Sequence, residues 1–294
     1  MVVHLSDLHL NELIQLQTNQ FDFIIAAQRL ELYASKIKTY GEALGITRVV
    51  LAIGGDIINS DRRHDEVLNN ATNRSRTVVL AVHLLRQFAL DLRENFYIDV
   101  VGVCGNEGRA KQELAWSNVG ATDSYDALVY WMLQTVLEAD GDKGIRFNEL
   151  QANECVFNIH QETFLLLHGH QVRMTDQKAV QAIMGRFQHR GINVTHILAG
   201  HIHSAMISDF ASRSSSLCGS NSYSEAALNF ASKASQNLHV VTKDGGLDGI
   251  KCDLQVIPKK IKGYDMISAI QRHNARTVSD QPKDDCQSEA ILIC

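Results

Sequence analysis

Five short polar signatures, each set at the end of an apolar run, constrain this chain more than any other feature. They are Asp7-Leu8-His9, Gly55-Asp56, Gly105-Asn106-Glu107, His168-Gly169-His170 and Gly200-His201-Ile202-His203. The runs before them, at 2–5, 48–53, 98–103, 163–167 and 195–199, are short, nearly continuous in apolar residues and rich in Val, Ile and Leu, as buried strands are. Carboxylate, imidazole and carboxamide groups therefore recur where strands surface. Taken singly each signature is weak, because a lone His at a strand end is usually a hydrogen-bonded structural residue. Five in order, all at strand-to-loop transitions, point to one shared metal site.

Between these strands the pattern turns helical. Leu30, Tyr33, Ile37 and Tyr40 keep helical spacing over 24–40, and Val78, Val82, Leu85, Phe88 and Leu92 do so over 76–93. A third helix is expected over 124–138, capped by Asp123 or Ser124. A fourth runs from Asp176 through Val180, Ile183, Met184 and Phe187, with Gly191 to end it. Strands dominate the second half as far as Ile257, and the Ser-rich stretch 212–224 reads as a loop. The expectation is a mixed α/β fold, with one domain over 1–265 and a polar, mobile tail over 266–294.

Composition narrows the function classes. A chain of 294 residues can bury one large core. Its net charge of −5 offers no global basic field to a polyanion, so nucleic-acid binding would rest on local patches or on a metal's own charge. Cys104, Cys155, Cys218, Cys252, Cys286 and Cys294 form no Cys-x-x-Cys pair, which argues against a structural zinc knuckle and for reduced thiols. The start lacks a basic-then-apolar leader, and no apolar run approaches the roughly 20 residues that span a bilayer. A cytoplasmic protein with no membrane partner is expected.

The donor set selects the metal. Two Asp, several His and one Asn, without thiolate, suit manganese first and iron or zinc next. Seven ligands exceed one tetrahedral shell, so two divalent ions sharing a carboxylate are implied, an arrangement that serves phosphoryl chemistry.

With these motifs the chain resembles the calcineurin-like metallophosphoesterases over about residues 2–210. The resemblance implies that Asp7, His9, Asp56 and His203 hold one ion, that Asp56 bridges, and that Asn106, His168 and His201 complete the other. His168 is favoured over His170 as ligand because it directly follows its strand; His170 then stands behind the ligands or faces phosphate. The implied fold is a two-sheet β-sandwich flanked by helices, in four layers. The implied reaction is phosphoester hydrolysis by attack of a metal-bound hydroxide on phosphorus.

Glu107 departs from that pattern, since most of the family carries a His there, beside the leaving oxygen. A Glu would act as general acid only with a pKa far above its usual ~4.3, and two cations push the other way. Either another group such as His64 or a metal-bound water donates the proton, or Glu107 dampens activity or alters metal choice, or the site is inactive. Arg109, on the same loop, suits a phosphate oxygen or a surface salt bridge.

The helix between Asp56 and Asn106 resembles the recombination-repair exonucleases of the superfamily, and 219–225 with 231–237 resembles phage and prophage members. Together they lead to a phage-type DNA nuclease or other phosphodiesterase in a bacterial host. Its acidic charge would leave DNA binding to local patches or to a homo-oligomer. A small-molecule or cyclic-nucleotide phosphodiesterase is the alternative, and a non-catalytic metal-binding scaffold is the reading from another class.

Overall fold

A computed structural model describes residues 1–172 and 176–280. Period-two alternation along the strands sorts apolar side chains into three separate cores, and these define four layers. Val3, Leu5, Val49, Leu51, Ile98 and Val100 face outward onto the helices Phe23–Ala43, Arg74–Arg93 and Tyr125–Ala139. Their neighbours Val2, Ala52 and Val101 point inward and meet Phe164, Leu166 and Leu198 of a second sheet. On that sheet's far face, Leu165, Leu167, Ile197 and Ala199 pack against Val180 and Phe187 of the helix Gln177–Gln188. The molecule is thus an α/β sandwich of two sheets flanked by helices: the mixed α/β character follows the strand and helix pattern, and the sandwich is the fold that the resemblance implies.

The first sheet has six strands in the order Leu247–Asp253, Ser235–Val241, Val2–Leu5, Arg48–Ile53, Tyr97–Gly102 and Ile145–Phe147, and the last four run parallel. The second has five, in the order Met206–Ile207, Ala211–Arg213, His196–Ala199, Glu162–Leu167 and Glu154–Ile159, with the middle three parallel. Parallel pairing brings the carboxyl ends of Val2–Leu5, Arg48–Ile53 and Tyr97–Gly102 to one edge. The ends of Glu162–Leu167 and His196–Ala199 meet them there from the other sheet, and ligand sites form at such edges.

The helices start where short polar side chains can accept their free N–H groups. Asp22 accepts from Ile24 and Ile25, Asn73 from Arg76, Ser124 from Asp126 and Asp176 from Lys178. Of the two caps expected for the third helix, Ser124 is the one used.

The Ser-rich stretch differs from the sequence expectation. Ala211–Arg213 is a strand, and Ser212, Ser214, Ser215 and Ser216 are buried rather than looped out. Their hydroxyls are small enough to enter the interior and find backbone carbonyls, Ser214 donating to His4 and Ser215 to His203 and Lys233. Beyond residue 265, Ile267–Arg272 is helical, and Ile270 and Val278 are buried. Residues 281–294 of the expected tail, with Cys286 and Cys294, lie outside the described residues.

Candidate metal centre

The loops after five strands converge on one point. Asp7 and His9 follow Val2–Leu5, Asp56 follows Arg48–Ile53, and Asn106 follows Tyr97–Gly102. His168 follows Glu162–Leu167, and His201 and His203 follow His196–Ala199. Asp7, His9 and His203 bring ligand atoms within 4.8 Å of one another, as do Asp56, His168 and His201. Asn106 joins the second group, its Oδ1 lying 3.0 Å from His168 Nε2. The structure thus brings the seven expected residues together in two adjoining groups, with Asp56 in the second.

Backbone conformation marks the same residues. Asp7 (φ 53°), His9 (45°), Asp56 (50°), His201 (71°) and His203 (55°) all occupy the left-handed region. Non-glycine residues persist there only when their surroundings hold them, and such residues cluster at functional sites. The turns swing the side chains out of the strand direction into the gap between the sheets. Glycine serves the complementary need for close approach: a Cβ on Gly200 would come within 2.0 Å of Asp7 Oδ2, and one on Gly105 within 2.1 Å of Asp56 Oδ1.

Hydrogen bonds to the far side of three of these candidate ligands aim them. His168 Nδ1 lies 2.7 Å from the Gly54 carbonyl, which can only accept, so Nδ1 carries a proton and Nε2 faces Asp56 Oδ2 at 2.9 Å. His9 Nδ1 meets Asn59 Oδ1 at 3.1 Å, leaving Nε2 toward His203 Nε2 at 2.9 Å. Asp7 accepts from Ser6 Oγ and from the His201 N–H, so a carboxylate of one sheet holds the loop of the other. Nitrogen and oxygen lone pairs crowded this closely, with second partners already fixed, fit divalent cations.

No protein-family model matches the chain, and no curated protein matches it. Among solved structures it is similar to zinc-bound Vps29 from Entamoeba histolytica (12% identity, TM-score 0.39, covering 86% of this chain and 98% of that one). It is also similar to the phosphoesterase Yfce from E. coli (15% identity, TM-score 0.37, covering 86% and 98%). A third is a conserved protein from Streptococcus pneumoniae TIGR4 described as a predicted phosphoesterase (11% identity, TM-score 0.30, covering 86% and 96%). At these scores none of them assigns a residue role or an activity to this chain.

Electrostatics within the site are strongly coupled. Burial would push the His168 imidazole down, but the adjoining Asp56 carboxylate outweighs it and lifts the group to about 10. Asp56 is held far below the usual carboxylate range, His168 and His9 overcoming its own burial. His201 moves down to about 4, through burial and then the His168 charge. A proton on His168 Nε2 and a cation beside Asp56 would therefore compete for the same place.

Of the three residues expected near the reacting atoms, His170 and Glu107 lie against the candidate ligands, while Arg109 is engaged by its own loop. His170 packs against the rings of His168 and His201 (5.5 and 6.1 Å between centroids), stacks on Trp116 (5.6 Å) and lines a small cavity of about 130 Å³ with Arg109 and Lys111. Arg109 turns back on its own loop, with Nη1 on the Asn106 carbonyl and Nε and Nη2 on that of Gln112. Glu107 lines the main cavity but is tied on both oxygens, Oε2 to Arg62 at 2.9 Å and Oε1 to Asn106 Nδ2 at 2.5 Å. His64 is exposed at the start of the short helix His64–Leu68.

Three supporting residues escape the sequence pattern. Asp126 is buried and accepts from the backbone N–H groups of Asp56, Ile57 and Gly105, clamping two ligand loops together. Burial, and then the Asp56 charge, push its carboxyl up to about 6. Gln236 bonds both backbone groups of Ser6 and also the Ser215 carbonyl, fixing the loop that carries Asp7. Arg62 is the third.

Proposed function

We propose that the chain is a metal-dependent phosphoesterase that carries two divalent ions and hydrolyses compact organic phosphodiesters. The observation that supports this reading best is the convergence of Asp7, His9, Asp56, Asn106, His168, His201 and His203, five of them in left-handed backbone, at the open edge between two sheets. When bound, such ions polarise a phosphoryl group and make water a nucleophile at neutral pH. The protein's own residues set the substrate.

His9, Asp56, Asn106, His201 and His203 form one wall of a cavity of about 950 Å³, large for a bare phosphate and well matched to a small organic molecule. Its other walls carry Leu13, Ile14, Leu68, Tyr223, Leu228 and Phe230. Glu12, Asp65 and Glu66 also line it; of the two arginines that line it among the described residues, Arg276 is bound to the Leu68 and Asn70 carbonyls and Arg63 lies over the Tyr223 ring, paired with Glu66. A track for a polynucleotide needs free cations along its length, whereas these walls suit one phosphodiester with an apolar or aromatic substituent. That favours a compact substrate over the phage-type DNA nuclease. Because Glu107 is engaged by Arg62 and Asn106, no free acid waits at its position. Good leaving groups should therefore react far better than alkoxides.

The test is hydrolysis of bis-p-nitrophenyl phosphate with manganese, set against Asp56→Ala, together with digestion of linear, nicked and single-stranded DNA. Expected are manganese-dependent turnover lost in the variant, and intact DNA. Turnover no greater than that of Asp56→Ala would overturn the enzyme reading in favour of a metal-binding scaffold. Processive digestion of DNA would restore the nuclease.

A further inference from the structure

The place of Glu107 in the loop gives it a task other than proton donation. Asn106 can bind a cation only through Oδ1; its Nδ2 amine would repel one, and the two ends of a carboxamide are nearly the same shape. Something must therefore choose which end faces the ligand cluster. Glu107 Oε1 can only accept, and it lies 2.5 Å from Asn106 Nδ2. This turns Oδ1 toward His168 Nε2, 3.0 Å away, on the side of Asp56 and His201. Arg62 fixes the carboxylate in turn, Nη2 on Glu107 Oε2 at 2.9 Å and Nη1 on the Glu107 carbonyl at 2.6 Å, and its side chain is only 9% exposed. The Glu107 N–H meanwhile donates to Asp56 Oδ1 at 2.7 Å.

We infer that Glu107, held by Arg62, is a positioning residue that sets the Asn106 carboxamide with its oxygen toward the Asp56–His168–His201 group and so tunes the affinity of that one metal position. The chemistry explains why a His would not substitute. A neutral imidazole offers a single acceptor, whereas this role takes two, one for the amide and one for the guanidinium. Supporting groups of this kind typically govern affinity by 10- to 100-fold. The inference rests on the metal-binding half of the function proposed above and is independent of hydrolysis.

The experiment is a calorimetric titration of the full chain with Mn²⁺ in wild type, E107A, E107Q, R62A and the R62A/E107A double variant. Wild type should bind two ions. E107A should weaken one of them by about tenfold or more and leave the other within about threefold. E107Q, which keeps a carbonyl acceptor for Asn106 but gives up the one for Arg62, should lie between wild type and E107A, and the double variant should bind no more weakly than E107A. A second measurement needs no metal: slowed hydrogen exchange of the Asn106 side-chain amide, read by NMR, should be lost in E107A and kept in E107Q. Equal affinities in wild type and E107A would overturn the inference, as would an E107Q as weak as E107A, which would make Glu107 a direct ligand through its charge. Unchanged amide exchange in E107A would also overturn it. A wild-type chain that binds no ion would overturn the reading of the site itself, an outcome separable from loss of turnover with two ions still bound.

Discussion

The strand Val2–Leu5 holds His4 within it and His9 just past its end, while His196–Ala199 begins on His196 and leads into His201 and His203. Together with Ser235–Val241, which carries His239, and Glu162–Leu167, which leads into His168, they place imidazoles in two kinds of surroundings. His4, His196 and His239 sit in the inter-sheet core beside Phe164, with His239 5.3 Å from His196 and 6.3 Å from His4 between ring centroids. Apart from a 2.8 Å contact of His196 Nε2 with Ser212 Oγ, their ring nitrogens have no hydrogen-bond partner among the described residues. Burial pushes His4 down to about 3 and His196 to about 4, and holds His239 well below the ordinary range. His168 is as deeply buried as any of them, yet Asp56 lifts it to about 10. What separates His168 from the core histidines is the Asp56 carboxylate 2.9 Å away; His201, under burial and the His168 charge, moves down as they do.

That contrast breaks if the carboxylate is removed without consequence. Asp56→Asn keeps the side chain's volume and takes away its charge, so His168 should come to resemble the interior set. Histidine NMR of the metal-free variant should show its titration falling below the ordinary ~6.5. Calorimetry should show metal affinity lower by at least about 100-fold, the largest effect expected from any single change. A His168 that keeps its high value would place the cause elsewhere. Asp126→Asn is a milder version, because it leaves every ligand in place and loosens only the clamp between the Asp56 and Gly105 loops. Affinity should drop by about tenfold, measured the same way.

The interior set can be tested by acid. At pH values above the free-imidazole pKa of ~6.5, neither native nor unfolded chain binds protons at these rings. Below it the unfolded chain takes up protons that native His4 and His196 refuse until about 3 and 4. Their folded pKa values are depressed, so the stability they confer is present above ~6.5 and lost as pH falls toward those values. His239→Leu removes one such group and one unpartnered polar ring. Urea unfolding with chelator at pH 7, 6 and 5 should show a shallower loss for the variant, with a gain of about 1–2 kcal/mol at the acid end. Metal-site groups titrate equally in both proteins and cancel in the difference. An identical pH dependence would mean that His239 is hydrated in the native state.

The parts of this molecule legible in the sequence are those whose physics is local. A buried parallel strand writes itself as a continuous apolar run, and a ligand within a few residues of its end stays visible beside it. Hence the strands, the helices and the five candidate ligand loops could be anticipated, while the pairing of two sheets into a sandwich came from the resemblance of those motifs to a family. Asp126, Gln236 and Arg62 could not, because each matters through backbone or side-chain groups far away in sequence. Asp126 reads simply as an acid in a helix's first turn, and only the fold brings three N–H donors onto it. The buried serines from 212 to 216 fail for the same reason, since a hydroxyl looks like loop until a carbonyl is found for it.

Arg109 carries the same lesson to a cation, and it predicts the smallest effect. A guanidinium two residues from the candidate ligand loop invites a phosphate partner, yet the nitrogens of Arg109 are directed at the carbonyls of Asn106 and Gln112. Its partners make it a brace for the loop rather than a hand for the substrate. Lysine has one ammonium and cannot span both carbonyls in a planar fork. Arg109→Lys should therefore cost about 1 kcal/mol of stability, the worth of a hydrogen bond or two, while KM for bis-p-nitrophenyl phosphate stays within about threefold. A tenfold rise in KM with Tm unchanged would reverse the assignment, since lost phosphate contact appears in binding and a lost brace in melting.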